Sequence, residues 1–346
     1  MRAAEAEPTT REVPAVRVRA SADRRDLICL AVLALAAVAL PFAVGQYGMR
    51  LATTVFMYVA LAQAWNLVGG YAGLLSIAHP AFFGTGAVAA AIVLINGLPP
   101  VLAVAVAAAA AVVIAAVTGL PTLRLRGHYF VIASLLVSEV TRNAVLNMDA
   151  FGYTGGVAAN IFRFVPMIPG VAHGQLFYFV MLGLALSCMA LVVAVDHSRW
   201  GYALRAIRDN ESAARALGIH TPRVRLLTFV LSAVLTGFIG TAWAMWLGVV
   251  DTNEAYNPAV TFEVIVMVFL GGTGTVWGPP LGVVLILLLG EYFGIKFAEL
   301  TLVTSGLIVV LVVLFLPEGL VRVFTEGPRV LHPARLAQNL RRFKVR

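Results

Sequence analysis

Charge is scarce in this sequence and lysine is nearly missing. Only 12% of the 346 residues are Asp, Glu, Lys or Arg, and the two lysines are Lys296 and Lys344. Neither follows a glycine, so the Gly-Lys-Ser/Thr core of a phosphate-binding loop is missing and ATP hydrolysis by that route is excluded. No HExxH-type ligand spacing and no GxSxG turn occurs, so the motifs imply no metal, no cofactor and no catalytic residue. The two cysteines, Cys29 and Cys188, lie inside apolar runs, where neither a disulfide framework nor a cysteine-based metal site is readable.

Apolar sequence is abundant instead. Hydrophobic residues make up 60% of the chain, and a mean hydropathy of +0.91 overrides the soluble domains that the length would suggest. The expected fold is an all-α polytopic integral membrane protein of about ten transmembrane helices. The expected spans are 27–46, 51–68, 82–98, 100–119, 129–147, 176–196, 226–250, 260–276, 281–297 and 302–317. The first follows an arginine-rich start, as in a signal peptide, but its full length reads as an uncleaved span.

The net charge of +8 is concentrated in place rather than spread as for a nucleic-acid partner. Residues 1–26 hold six Lys or Arg, 197–225 hold six and 318–346 hold seven, together 19 of 25. Cytoplasmic loops are enriched in these residues, so both termini and the 197–225 loop are expected in the cytoplasm. The division is a basic segment 1–26, a transmembrane domain 27–321 and a basic tail 322–346. Arg124 and Arg126 in 120–128, and Asp251 and Glu254 in 251–259, fit that topology; Arg50 and Arg163 fall on its outside.

Two segments look unlike ordinary spans: GGYAGLLSIAHPAFFGTG (69–86) and GGTGTVWGPPLG (271–282). They suit broken helices or re-entrant turns facing a cavity, and equally suit close helix packing at glycine. The intramembrane ionisable groups are Glu139, Arg142, Glu263 and Glu291, each costing about 2.5–3.5 kcal/mol at a helix centre. Glu139 and Arg142 stand three apart and can neutralise each other; Arg142 and Glu263 lie near span ends, and Glu291 is deeper. A solute path is expected around Asn66, Ser76, His79, Pro80, Glu139 and Glu291, with His79 equally readable as a buried structural donor.

The stretch RAIRDNESAARALGIHTPRVRLL (205–227) places five Arg, one Asp and one Glu in 23 positions. Asp209 or Asn210 can cap a helix of about two turns, Glu211 suits its first turn, and Gly218 its stop. Ala213, Ala214 and Leu217 would form a small apolar patch. Thr221 and Pro222 read as the cap and first turn of the next span. A helix this short is marginal alone, so it either docks a partner or is a solvated connector.

ESAARALG resembles the cytoplasmic loop of ABC importer permeases that fits a cleft in the ATPase subunit. WNLVGGYAGLLSIAHPAFFGTGA (65–87), LRLRGHYFVI (123–132), TGG (154–156), RAIRDNESAARALGI (205–219), FLGGTGTVWGPPLG (269–282) and LFLPEGLV (314–321) are similar, in order, to blocks of branched-chain amino-acid importer permeases, M-type subunit. The resemblance implies a second, H-type permease, two ABC ATPase subunits, an extracytoplasmic solute-binding protein and the lipid of a bacterial inner membrane, with no nucleic acid. It assigns ATPase coupling to Arg208, Glu211, Ala213, Ala214 and Gly218. The family pattern has Gln, Gly, Ala and an acidic residue where this chain has Leu74, Ala78, Pro80 and His128, and Pro-Asn-Gly where it has Val157-Ala158-Ala159-Asn160. Leucine, isoleucine and valine are therefore a default, with other amino acids, urea and amides open. A stand-alone secondary transporter or channel is the alternative; a membrane-embedded enzyme would need a polar cluster that the sequence does not display.

Overall fold

The structure, a computed structural model, describes residues 24–125, 127–148, 159–165, 172–296 and 320–321. The helices are α1 (Arg24–Ala43), α2 (Gln46–Asn66), α3 (His79–Ile95), α4 (Pro100–Thr122), α5 (His128–Leu146), α6 (His173–Asp196), α7 (Arg199–Asp209), α8 (Glu211–Ala216), α9 (Thr221–Leu247), α10 (Thr252–Ala255), α11 (Pro258–Gly271) and α12 (Gly278–Lys296). Two short strands, β1 (Ala159–Asn160) and β2 (Val249–Val250), pair antiparallel.

Six helical segments are long and apolar enough to cross a membrane, and three shorter apolar helices lie in α1, α3 and α12. The expected count of about ten is thus not reached among the described residues; the expected span 302–317, the TGG block and both basic tails lie outside them. Two boundaries move for a physical reason. α9 begins at Thr221, five residues before the expected apolar run, because a polar first turn extends it. His220 takes the cap position with no side-chain cap bond, where Thr221 was expected. The 197–225 segment is not one short helix in a loop: α7 precedes α8, burying Gly201, Leu204 and Ile207.

The middle of the bundle is α2 with the helical turn that continues it, buried without a break over 59–68. Phe83, Met181, Met189, Ile239 and Met267 pack around its Met57 and Trp65. Lipid is as apolar as leucine, so burial alone does not drive helices together there, and small residues at contacts allow close packing. α4 turns Ala103, Ala107, Ala111, Ala115 and Gly119 inward and leaves Val101, Val113, Val117 and Leu120 exposed. α3 and α9 approach backbone to backbone: a Cβ on Gly86 would lie 2.0 Å from the Gly237 carbonyl, and one on Gly240 2.1 Å from that of Phe83.

The connections sort into two ends. At one, Ile161, Val165, Val250, Ala255 and Tyr256 pack with Leu94 and Ala103, and Arg142 donates to Asn253 at 2.7 Å. At the other, α7 and α8 meet the connectors 72–78, 123–127 and 272–277. The first glycine-rich segment breaks from the α-helix at the π-helical turn Leu67–Tyr71 and runs back beside Trp65 with Ser76, Ile77 and Ala78 buried before α3 starts, while the second turns the chain between α11 and α12.

Gly240→Ala should force the α3–α9 contact apart. Overpacking costs about 1–3 kcal/mol, so the apparent Tm in detergent should fall by several degrees. Gly183→Ala, where a Cβ meets nothing within 4 Å, should leave Tm unchanged. Equal Tm for both variants would contradict the packing.

Candidate functional site

The 199–220 element is built by local capping. Ser198 accepts from Gly201 N at 3.2 Å to start α7, and Gly201 is required because a Cβ would sit 2.1 Å from the Val195 carbonyl. Asn210, extended at φ −157°, ends α7 and caps α8 by accepting from Ala213 N at 3.1 Å. Gly218 at φ +83° stops α8. Its N–H and that of Ile219 donate to Arg215 O at 3.0 Å and Ala214 O at 3.1 Å, the paired bonds of a left-handed glycine stop. The expected short capped helix is present.

Its faces differ from the sequence reading. Ala214 points inward and is buried, while Leu217 is 79% exposed beside exposed Ala213, Ala216 and Gly218. The outward surface is therefore small and apolar, and a Cβ on Gly218 would meet open space. Glu211 is not displayed to a partner. Its carboxylate pairs with Arg215 and, at 3.1 Å, with Arg225, and accepts from Thr221 Oγ1 at 3.4 Å. With side-chain exposures of 18% for Glu211 and 13% for Arg225, this clamp ties α8 to the start of α9.

Arg208 joins this element to the bundle. Its guanidinium donates to Gly70 O at 2.8 Å, on the π-helical turn Leu67–Tyr71 that continues α2. Arg208 also fills the space where side chains on two glycines would stand: a Cβ on Gly73 would lie 2.6 Å from its Cγ, and one on Gly274 2.4 Å from its Nη1. Asn66 then binds the two connectors together, accepting from Gly274 N at 2.9 Å and donating to Thr275 O at 2.9 Å. Gln63 donates to Val276 O at 2.7 Å. At the same end Asp26 accepts from Trp277 at 2.9 Å and faces His197 at 3.3 Å. Arg208, Asn66, Gln63 and Asp26 form one fastening layer, and Arg208 also lines a cavity of about 490 Å³ with Gly73, Leu74, His128, Asp209 and Asn210.

The expected path residues are not gathered into one site. Asn66 belongs to the fastening layer. Ser76 is buried, its carbonyl accepting from Trp65 Nε1 at 2.8 Å. His79 Nε2 meets Ser232 Oγ at 2.9 Å, and that hydroxyl donates to Ala64 O at 2.6 Å. One hydroxyl proton serves one acceptor, so His79 carries its proton on Nε2, and its buried Nδ1 has no partner among the described residues. His79 and Pro80 line a narrow pocket with Phe83, Thr236, Thr261 and Val264. Glu139 pairs with Arg142 at 3.1 Å near the opposite end, and Glu291 is half-buried on α12. Glu263, expected near a span end, instead accepts from Tyr58 at 2.7 Å in the middle of α2. The Tyr58 and Arg225 partnerships had no sequence signal, since their partners lie on another helix or across a turn, whereas Glu211 and Arg215 stand at the i,i+4 spacing of one helix.

Compared with known proteins, residues 47–315 match the family described as branched-chain amino acid transport system / permease component. The chain belongs to that family. The permease is 28% identical over 325 residues, 86% of this chain and 75% of the relative, to the high-affinity branched-chain amino acid transport system permease protein LivM of Salmonella typhimurium, with the same figures for LivM of Escherichia coli. It is also 30% identical over 143 residues to LivH of Escherichia coli, covering 39% of this chain and 44% of that one. No solved structure matches it. It is a multi-pass membrane protein whose relatives are permease components of transporters.

Arg208→Ala should release the connectors from α7. A hydrogen bond to a charged group contributes about 1.5–3 kcal/mol, so amide exchange over 70–76 and 272–277 should quicken roughly tenfold or more. Arg208→Lys, which keeps the charge, should show a smaller increase. Unchanged exchange in the alanine variant would remove Arg208 as the link.

Proposed function

We propose that this permease is the M-type membrane subunit of an ABC importer that carries branched-chain amino acids, or a related small amino acid or amide, across the bacterial inner membrane. Family membership and the LivM relatives support the class. The observation that carries the mechanism is α8: a small, exposed, apolar surface clamped by Glu211 and tied through α7 and Arg208 to two connectors, in a chain without a Gly-Lys-Ser/Thr motif.

In this reading one of two separate ATPase subunits docks at α8, and Ala213, Ala216, Leu217 and Gly218 fill its cleft. Ala214 and Glu211 hold the helix in place from behind. Closure of the ATPases moves α7 and α8 as one body, and Arg208 passes that motion to 70–76 and 272–277. Those turns set α2, α3, α11 and α12. An H-type permease completes the path, and the solute-binding protein meets the opposite end around α10. The Lys and Arg bias orients the chain with α7, α8 and both termini in the cytoplasm, and with ten spans when 302–317 is included. The narrow apolar pocket at His79 and Pro80, with hydroxyls from Thr236 and Thr261, would have to widen to pass a small apolar side chain.

Glu211→Lys would place a third cation beside Arg215 and Arg225, and Gly218→Val would put a β-branched residue at a left-handed φ. In the reconstituted complex, the pair should reduce binding-protein-stimulated ATP hydrolysis and uptake at least roughly tenfold, about 1.4 kcal/mol of lost coupling, with membrane insertion retained. Normal transport by the double variant would make the stretch a connector and refute docking there.

A further inference from the structure

Beside α8, on the side away from its apolar surface, a cavity of about 330 Å³ lies between the end of α4 and the start of α9. Arg124, Arg215, Arg223 and Arg225 line it, with Glu211 the one carboxylate and Gly119, Leu120, Leu123, Pro222 and Leu226 the apolar part. Glu211 serves Arg215 and Arg225. Arg124 and Arg223 are exposed, and their side chains have no ion-pair or hydrogen-bond partner among the described residues. Arg225 Nε is enclosed and unpartnered as well. Four guanidinium groups against one carboxylate leave the cavity strongly cationic, and guanidinium forks match phosphate oxygens.

The apolar part decides what kind of anion fits. Leu120 is 54% exposed and continues the outward row of α4 through Val117 and Val113, exposed by 67% and 60%. That row is the exposed side of a helix long and apolar enough to cross a membrane, so in a bilayer a cavity at the end of that helix would adjoin acyl chains along Leu120 and water along its arginines. Basic pockets between helix ends at the membrane surface are places where anionic headgroups bind. We propose that this cavity binds the phosphate headgroup of an anionic phospholipid, with Arg124 and Arg223 as its unneutralised contacts and the acyl chains lying along Leu120, Val117 and Val113. The bound lipid would brace the Glu211 clamp from outside, because its phosphate sits against the same Arg215 and Arg225. The site requires no ATPase, so it stands or falls apart from the importer reading.

The test uses the full-length permease in detergent, with native mass spectrometry of added phosphatidylglycerol and, separately, phosphatidylcholine. The wild-type chain should retain phosphatidylglycerol in preference. Arg124→Gln with Arg223→Gln should weaken that retention roughly 30-fold, the equivalent of about 1 kcal/mol per arginine. Arg124→Lys with Arg223→Lys should restore most of it, which also shows that changes at these exposed positions leave the fold intact. Leu120→Asn should weaken lipid retention but not inorganic phosphate binding. Equal retention by the Gln pair and the wild type would overturn the site. Full displacement of the lipid by inorganic phosphate would overturn it in favour of a free-anion site. Unchanged lipid retention with loss of a co-purifying protein would overturn it in favour of a protein contact.

Discussion

A guanidinium held by a backbone carbonyl, with only the exposed Asp209 carboxylate beside it at 3.6 Å, is the contact on which the rest of this arrangement depends. Arg208 reaches from α7 into two turns at once, bonding Gly70 O and occupying the volume that side chains at 73 and 274 would need. The glycines there are therefore space for an arginine, not hinges. Gly70 follows the same logic, since its Cβ would fall 1.9 Å from Asn66 Oδ1 and 2.5 Å from Gly274 N. With Asn66 accepting from Gly274 N and donating to Thr275 O, on the peptides that flank the 274–275 bond, the turns become one solid with α7. Backbone polar groups at this depth have few waters to turn to, and side chains replace them.

Above that layer the bundle is held by proximity. Gly86, Gly237 and Gly240 bring α3 and α9 to backbone contact, and Thr241 Oγ1 donates to Gly86 O at 3.0 Å across it. The alanine row of α4 does the same against α9. A displacement of the connectors consequently cannot be absorbed by soft side chains and moves whole helices, the property an alternating-access path requires.

Apolar runs made most spans legible, and capping residues made α8 legible down to its glycine stop. Orientation of side chains was not. Glu211, read as a first-turn carboxylate, turned out to bind Arg225, which the sequence places fourteen positions away across a left-handed turn. Ala214 and Leu217 looked alike in an apolar patch, yet one is buried and the other is 79% exposed. α7 was missed because its buried Gly201, Leu204 and Ile207 are interspersed with Arg199, Arg205 and Arg208, of which Arg205 and Arg208 serve tertiary bonds. The path residues scattered for a related reason: Asn66, Ser76 and His79 are polar because they serve buried backbone and hydroxyl partners, and polarity alone does not distinguish that task from solute contact.

The central claim is that the outward face of α8 seats an ATPase subunit. A single cysteine at Leu217, in a background lacking Cys29 and Cys188, tests it by short-range cross-linking in the assembled transporter. The account predicts a cross-link from Leu217→Cys to the ATPase subunit and none from a cysteine at buried Ala214. An ATPase that co-purifies and hydrolyses ATP normally while Leu217→Cys forms no cross-link to it would contradict the account.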